Sequence, residues 1–157
     1  MVVLGIDPGI GRCGWGVITH ERGKSKVLGF GLIGTSPRVE APQRLVAIKE
    51  ELAAIIDKYH PHVVGVEELF FGTNTKTAFS VGEARGVIVE TIASRKIQMH
   101  SFTPLQVKLA VTGYGKADKE QVGTMIKMLL GLTEVPKPDD VADALAVALA
   151  TAVTKRF

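Results

Sequence analysis

The stretch "VVLGIDPGIGRCGWGVITH" (residues 2–20) decides how this chain folds. It opens as a buried strand that runs into a carboxylate, Asp7, and then a Pro-Gly turn. Gly9, Gly11 and Gly14 follow and fit G-x-G-x-x-G literally. If a helix opened there, this would be a dinucleotide-binding unit with a pyrophosphate on the helix N-terminus. The next residues argue otherwise. "CGWGVIT" (13–19) is rich in Gly, Trp, Val, Ile and Thr and reads as a returning strand. The glycines then serve a turn and close backbone approach, and a nucleotide site of that kind is rejected.

A third strand, "KVLGFGLIG" (26–34), follows a turn around Gly23, so the chain begins as a three-stranded antiparallel meander. Residues 41–60 carry Leu45, Ile48, Leu52, Ile55 and Ile56 at helical spacing, and Pro61 stops that helix. "HVVGVEE" (62–68) reads as a fourth strand, 75–95 as a long helix and "KIQMHS" (96–101) as a fifth strand. Thr103-Pro104 starts another helix, with Gln106 completing a capping box, and Tyr114-Gly115 breaks it. Asp118 caps a helix over 119–130, and a last helix spans about 140–153. The predicted fold class is α/β: a five-stranded mixed sheet, meander plus parallel strands, with helices on both faces. Length and the absence of a linker predict one domain, 1–157.

Composition narrows the functional class. Apolar residues make up 46% and charged residues 22%, an ordinary globular balance. No apolar run approaches the roughly 20 residues of a membrane span. "MVVLGIDPG" lacks a basic n-region, so a cytoplasmic protein is expected. One cysteine, Cys13, excludes both a disulfide framework and a cysteine zinc site. His20, His60, His62 and His100 show no ligand spacing. Net charge is +3, and residues 71–134 hold the excess, with eight basic and five acidic side chains. That mild bias is compatible with nucleic-acid binding.

Acids in apolar surroundings carry the chemistry. Asp7 ends "VVLGI" and Glu67 ends "HVVGV"; adjacent parallel strands would bring both to the carboxyl edge of the sheet, where α/β ligand sites form. Asp140 and Asp143 lie three apart in "DDVADALAVALA", on one face of a mostly apolar helix. Singly, each has a plain structural reading: a turn residue for Asp7, a strand-end charge for Glu67, a dipole partner for Asp140, with Asp139 as an N-cap candidate. Together, clustered carboxylates would raise one another's pKa unless a cation neutralises them. Hard oxygen ligands select Mg²⁺ or Mn²⁺. Two such ions about 4 Å apart suit in-line phosphodiester cleavage. Asn74, Lys76 and Arg85 are candidate phosphate or sugar contacts. Either Phe70 or Phe71 packs inward, leaving the other for a base. Gly82, Ala84 and Gly86 form a small-residue patch on helix 75–95 that fits close packing within the chain or a two-fold contact.

"GIDPG", "VEELFFGTN", "GEARG", "QVKLAVTGYGKADKEQV" and "DVADALA" occur in this order over almost the whole chain. In these motifs the sequence resembles the RuvC-type bacterial Holliday-junction resolvases. The resemblance implies an RNase H-like fold and a homodimeric, Mg²⁺- or Mn²⁺-dependent endodeoxyribonuclease. Such an enzyme nicks a four-way DNA junction symmetrically in recombination and repair. By motif it assigns the acids to Asp7, Glu67, Asp140 and Asp143, and adds two lysines near the scissile phosphate, Lys108 and Lys119. It places base stacking at Phe70 and makes the RuvAB branch-migration complex a candidate partner. Many relatives carry Gln beside the catalytic Glu; here that position is Glu68, which adds negative charge beside the site. Two other readings stay open: an RNase H-like nuclease acting on RNA, of the YqgF type, and a junction-binding module without catalysis. An actin-like sugar kinase half would need a second domain that 157 residues cannot hold.

Overall fold

The computed structural model describes residues 1–68 and 75–154. Five strands form one mixed sheet in the order β3-β2-β1-β4-β5. β1 (Val2–Asp7), β2 (Arg12–Glu21) and β3 (Lys24–Gly34) make the antiparallel meander, while β4 (Val63–Glu67) and β5 (Gln98–Phe102) add in parallel beyond β1. Residues 12–21 are therefore a strand, and no helix opens at the glycines. The β2–β3 turn has positive φ at Arg22 (50°) and Gly23 (78°), the backbone that a two-residue hairpin requires.

Helices cover both faces. α1 (Ala41–Tyr59) buries Ile48, Leu52 and Ile56 on one side, beside α2 (Thr75–Ser94) with Ala84, Ile88 and Ile92. α1 ends on His60 in the left-handed region, immediately before Pro61. The neighbouring His62 accepts a 3.0 Å hydrogen bond at Nδ1 from the Val2 amide, tying the start of β1 to that of β4. The other face carries α3 (Pro104–Thr112), α4 (Lys119–Leu130) and α5 (Asp139–Val153). The capping boxes at Thr103/Gln106 and Asp118/Gln121 are both formed. Asp139 is not the cap of α5. Pro138 holds that position without a side-chain bond, and Asp139 begins the helix itself.

α5 positions the site. Eleven of its fifteen residues are buried, and it lies flat against β2, β1 and β4. Glycines make that approach possible. A Cβ on Gly14 would collide with the Asp140 carbonyl, one on Gly5 with the backbone of Ala144 and Ala148, and one on Gly65 with the Thr151 hydroxyl. The strand glycines that imitate a nucleotide motif are in part the bed of this helix.

Candidate active site

Asp7 and Glu67 reach the same sheet edge because β1 and β4 run parallel in register. Ile6 pairs with Val66, and the two acids are the next residues on each strand. Across β1, Asp7 pairs with Gly14 on β2, and the missing Gly14 side chain admits the first turn of α5. That turn delivers Asp140 and Asp143 to the same edge. Three separate elements thus converge on one acidic corner.

The electrostatics there are unfavourable for bare charges. The Asp7 carboxyl is pushed up to about 8, first by burial, then by the negative charges of Glu67 and Asp143, with Asp140 adding to it. Glu67 is also raised by burial, against a hydrogen bond with Asp7 that favours its ionised form. Asp7 is thus held toward its protonated form near neutrality, hydrogen-bonded to Glu67. Asp143 is raised by burial too, and Lys119 partly offsets this.

Two lysines face these acids. Lys108 from α3 and Lys119 from α4 line a cleft of about 250 Å³ together with Glu67 and Asp143. The capping boxes fix where both helices start, and so where the two ammonium groups stand. Lys119 Nζ lies 3.2 Å from Asp139 Oδ2, and that bond, followed by Asp143, raises the lysine's pKa. Of the two helix-start aspartates, Asp139 thus holds a lysine, while Asp140 stands at the acidic corner.

Among the described residues, no three of His, Cys, Asp and Glu form a ready-made metal cage. The four acids share the edge, but Asp7 turns to Glu67 and Asp140 turns to Arg12, whose Nε lies 3.2 Å from Asp140 Oδ2. That Oδ2 is fully buried and has no hydrogen bond of good geometry. A buried carboxylate oxygen without a well-aligned donor, beside two carboxyls whose ionisation burial disfavours, is the donor set that a hard divalent cation would satisfy. The residues fit such an ion through charge and oxygen chemistry.

The other expected positions fall differently. Phe70 and Asn74 lie outside the described residues, as does Phe71. Lys76 is exposed in the first turn of α2. Arg85 was expected at the DNA surface but is half-buried: its Nη2 donates to Ser101 Oγ on β5 at 3.0 Å. Its Nε is buried without a partner among the described residues. Arg85 follows Ala84, which packs on the sheet, so the inner face of α2 carries it toward β5. Cys13 is buried, and its thiol is pushed up to about 12, so it is inert. Sequence reasoning missed Arg12. The available signal was its place at the start of β2, on the edge that ends β1.

The family described as crossover junction endodeoxyribonuclease RuvC matches residues 3–151. A protein of that name from Alkaliphilus oremlandii is 53% identical over 157 residues, covering 100% of this chain and 96% of that protein. Another, from Caldicellulosiruptor saccharolyticus, is 53% identical over 150 residues, 95% of this chain and 90% of that one. Among solved structures, T. thermophilus RuvC in complex with Holliday junction substrate superposes with a TM-score of 0.93. It is 38% identical and covers 97% of this chain and 93% of that one. The fold is accordingly RNase H-like.

Proposed function

The chain belongs to the RuvC family of crossover junction endodeoxyribonucleases, and from that membership we propose a metal-dependent resolvase acting at the acidic corner. The observation that carries the mechanism is the convergence of Asp7, Glu67, Asp140 and Asp143 beside Lys108 and Lys119. Its substrate is a four-way DNA junction, as in the complex of the T. thermophilus relative. One nuclease domain, 1–157, acts in the cytoplasm; no helix among the described residues is long and apolar enough to cross a membrane.

Each residue has a task. Asp7, Glu67, Asp140 and Asp143 hold divalent cations, Mg²⁺ or Mn²⁺, two per site. Bound there, the ions supply water activation and neutralise charge on the leaving 3′ oxygen. Lys108 and Lys119 point into the cleft and offset charge on the scissile phosphate. Lys76, with Phe70 and Asn74 ahead of it, contacts the DNA flanking the site.

The enzyme acts as a homodimer, because two symmetric nicks need two sites and a two-fold junction matches a two-fold protein. Its face is the outer side of α2. Phe79 is 72% exposed there, and among the described residues nothing within 4 Å would meet a Cβ at Gly82 or Gly86. Such a bare apolar surface with room for close approach suits a second copy of the same helix.

The deciding experiment is cleavage of an end-labelled four-way junction beside a linear duplex and an RNA–DNA hybrid, with Mg²⁺, Mn²⁺ or EDTA. Paired symmetric nicks on the junction alone, lost in EDTA, are expected. Cleavage of the hybrid instead would move the protein to RNA processing. Binding without cleavage under every metal would leave only a junction-binding module.

A further inference from the structure

The side chain that holds Asp140 is not an acid-site residue of the sequence motifs. Arg12 is the first residue of β2, directly after the Gly9–Gly11 turn that follows Asp7. Its guanidinium sits on Asp140 Oδ2 at 3.2 Å. The two ends of this pair differ sharply. The Arg12 side chain is 61% exposed and that of Asp140 only 23%. The carboxylate oxygen itself is sealed from water and lacks a well-aligned donor. An exposed arginine loses little by leaving and a buried oxygen loses much by standing alone.

We propose that Arg12 is an internal placeholder cation: it neutralises Asp140 in the metal-free protein and yields this carboxylate to an incoming divalent ion. The inference rests on the resolvase reading of the same corner. An ion drawn to Asp140 competes with the Arg12 guanidinium for the charge of this one carboxylate, because two cations repel at close range. Binding a metal therefore includes breaking the Arg12 contact, which lowers the apparent affinity for the metal. The other close ion pair at this corner, Lys119 with Asp139, lies outside the set of four acids. Arg12 is thus a positioning residue that sets how readily the site loads. Once displaced, it stands at the exposed rim with a free guanidinium, in reach of solvent anions such as a phosphodiester.

The test is Mn²⁺ binding by titration calorimetry in the absence of DNA, comparing the intact protein with Arg12→Gln and Arg12→Lys. Arg12→Gln is expected to bind Mn²⁺ about three- to tenfold more tightly, with Arg12→Lys close to the parent, since it keeps the charge. A second readout separates this from a merely structural role. In EDTA the Arg12→Gln variant melts below the parent, and saturating Mn²⁺ raises its Tm by more than it raises the parent's. Equal or weaker Mn²⁺ binding by Arg12→Gln overturns the placeholder role and leaves the metal site standing. Equal Tm gains on adding Mn²⁺ overturn it as well. Absence of Mn²⁺ binding in all three proteins overturns the metal site, and the placeholder with it.

Discussion

Asp7 illustrates how one residue links stability to chemistry. Its folded-state pKa, raised to about 8, exceeds the value of 3.8 for a free side chain. The folded protein therefore holds a proton that the unfolded chain has lost, and stability falls as pH rises through that window. Metal-free protein should show a declining Tm between about pH 5 and pH 8. Asp7→Asn should flatten that decline, because the amide has no proton to lose. The same variant should retain junction binding and lose nicking altogether, read on a labelled junction with Mg²⁺. A variant that still cuts at the parental rate would remove Asp7 from the metal site. Asp7, Glu67 and Asp143 were legible in the sequence because a carboxylate closing an apolar run is costly without a partner. The Arg12–Asp140 and Lys119–Asp139 pairs were not, since each joins elements far apart in sequence and depends on how α5 seats. The Arg85–Ser101 bond was hidden for a related reason: a cation on a helix does not say which face packs inward.

Elements are governed by what the glycines allow. Gly14→Ala places a methyl group against the Asp140 carbonyl, a backbone atom that cannot swing aside. It should destabilise by about 1–3 kcal/mol in urea unfolding and reduce nicking further than that loss explains, because Asp140 must move with the helix. Gly16→Ala meets the Leu145 side chain in addition to its Cα, so part of the strain can relax and the cost should be smaller. Gly82→Ala offers the opposite case. Its Cβ meets nothing among the described residues, so α2 should gain about 0.5–1 kcal/mol of helix stability within one chain. If α2 faces its twin, the same methyl should weaken the dimer, and dissociation measured by sedimentation would show it. The helices themselves were well marked, since capping boxes and Pro-terminated periodicity are local signals. Strand ends shifted by one or two residues because pairing, not composition, decides where a strand stops. The closeness of α5 to the sheet was hidden, because Gly5, Gly14 and Gly65 look like loose punctuation until a helix lies on them.

For the whole molecule, the expected unit is two chains with one acidic corner each. Phe79→Glu puts a charge on the bare face of α2 and should yield monomers by light scattering without lowering the single-chain Tm. The monomer should nick junctions singly, so paired products on a circular junction substrate should disappear while single nicks persist. Unchanged mass with paired nicking would place the interface elsewhere. The fold class could be read from one sequence because the elements that define it are marked by patterns a few residues long. The oligomer could not, since Gly82, Ala84 and Gly86 are as consistent with internal packing as with a partner.

α5 is at once the most buried helix of the chain and the bearer of two of the four acids. Most enzymes hang such groups on loops that can loosen while the core survives. Here the acids are fastened to the keel. The corner cannot drift out of alignment through local fraying, so heat should silence nicking and melt the fold in a single step. The same fastening limits how the protein can change, because a core substitution under α5 is also a substitution under the acidic corner.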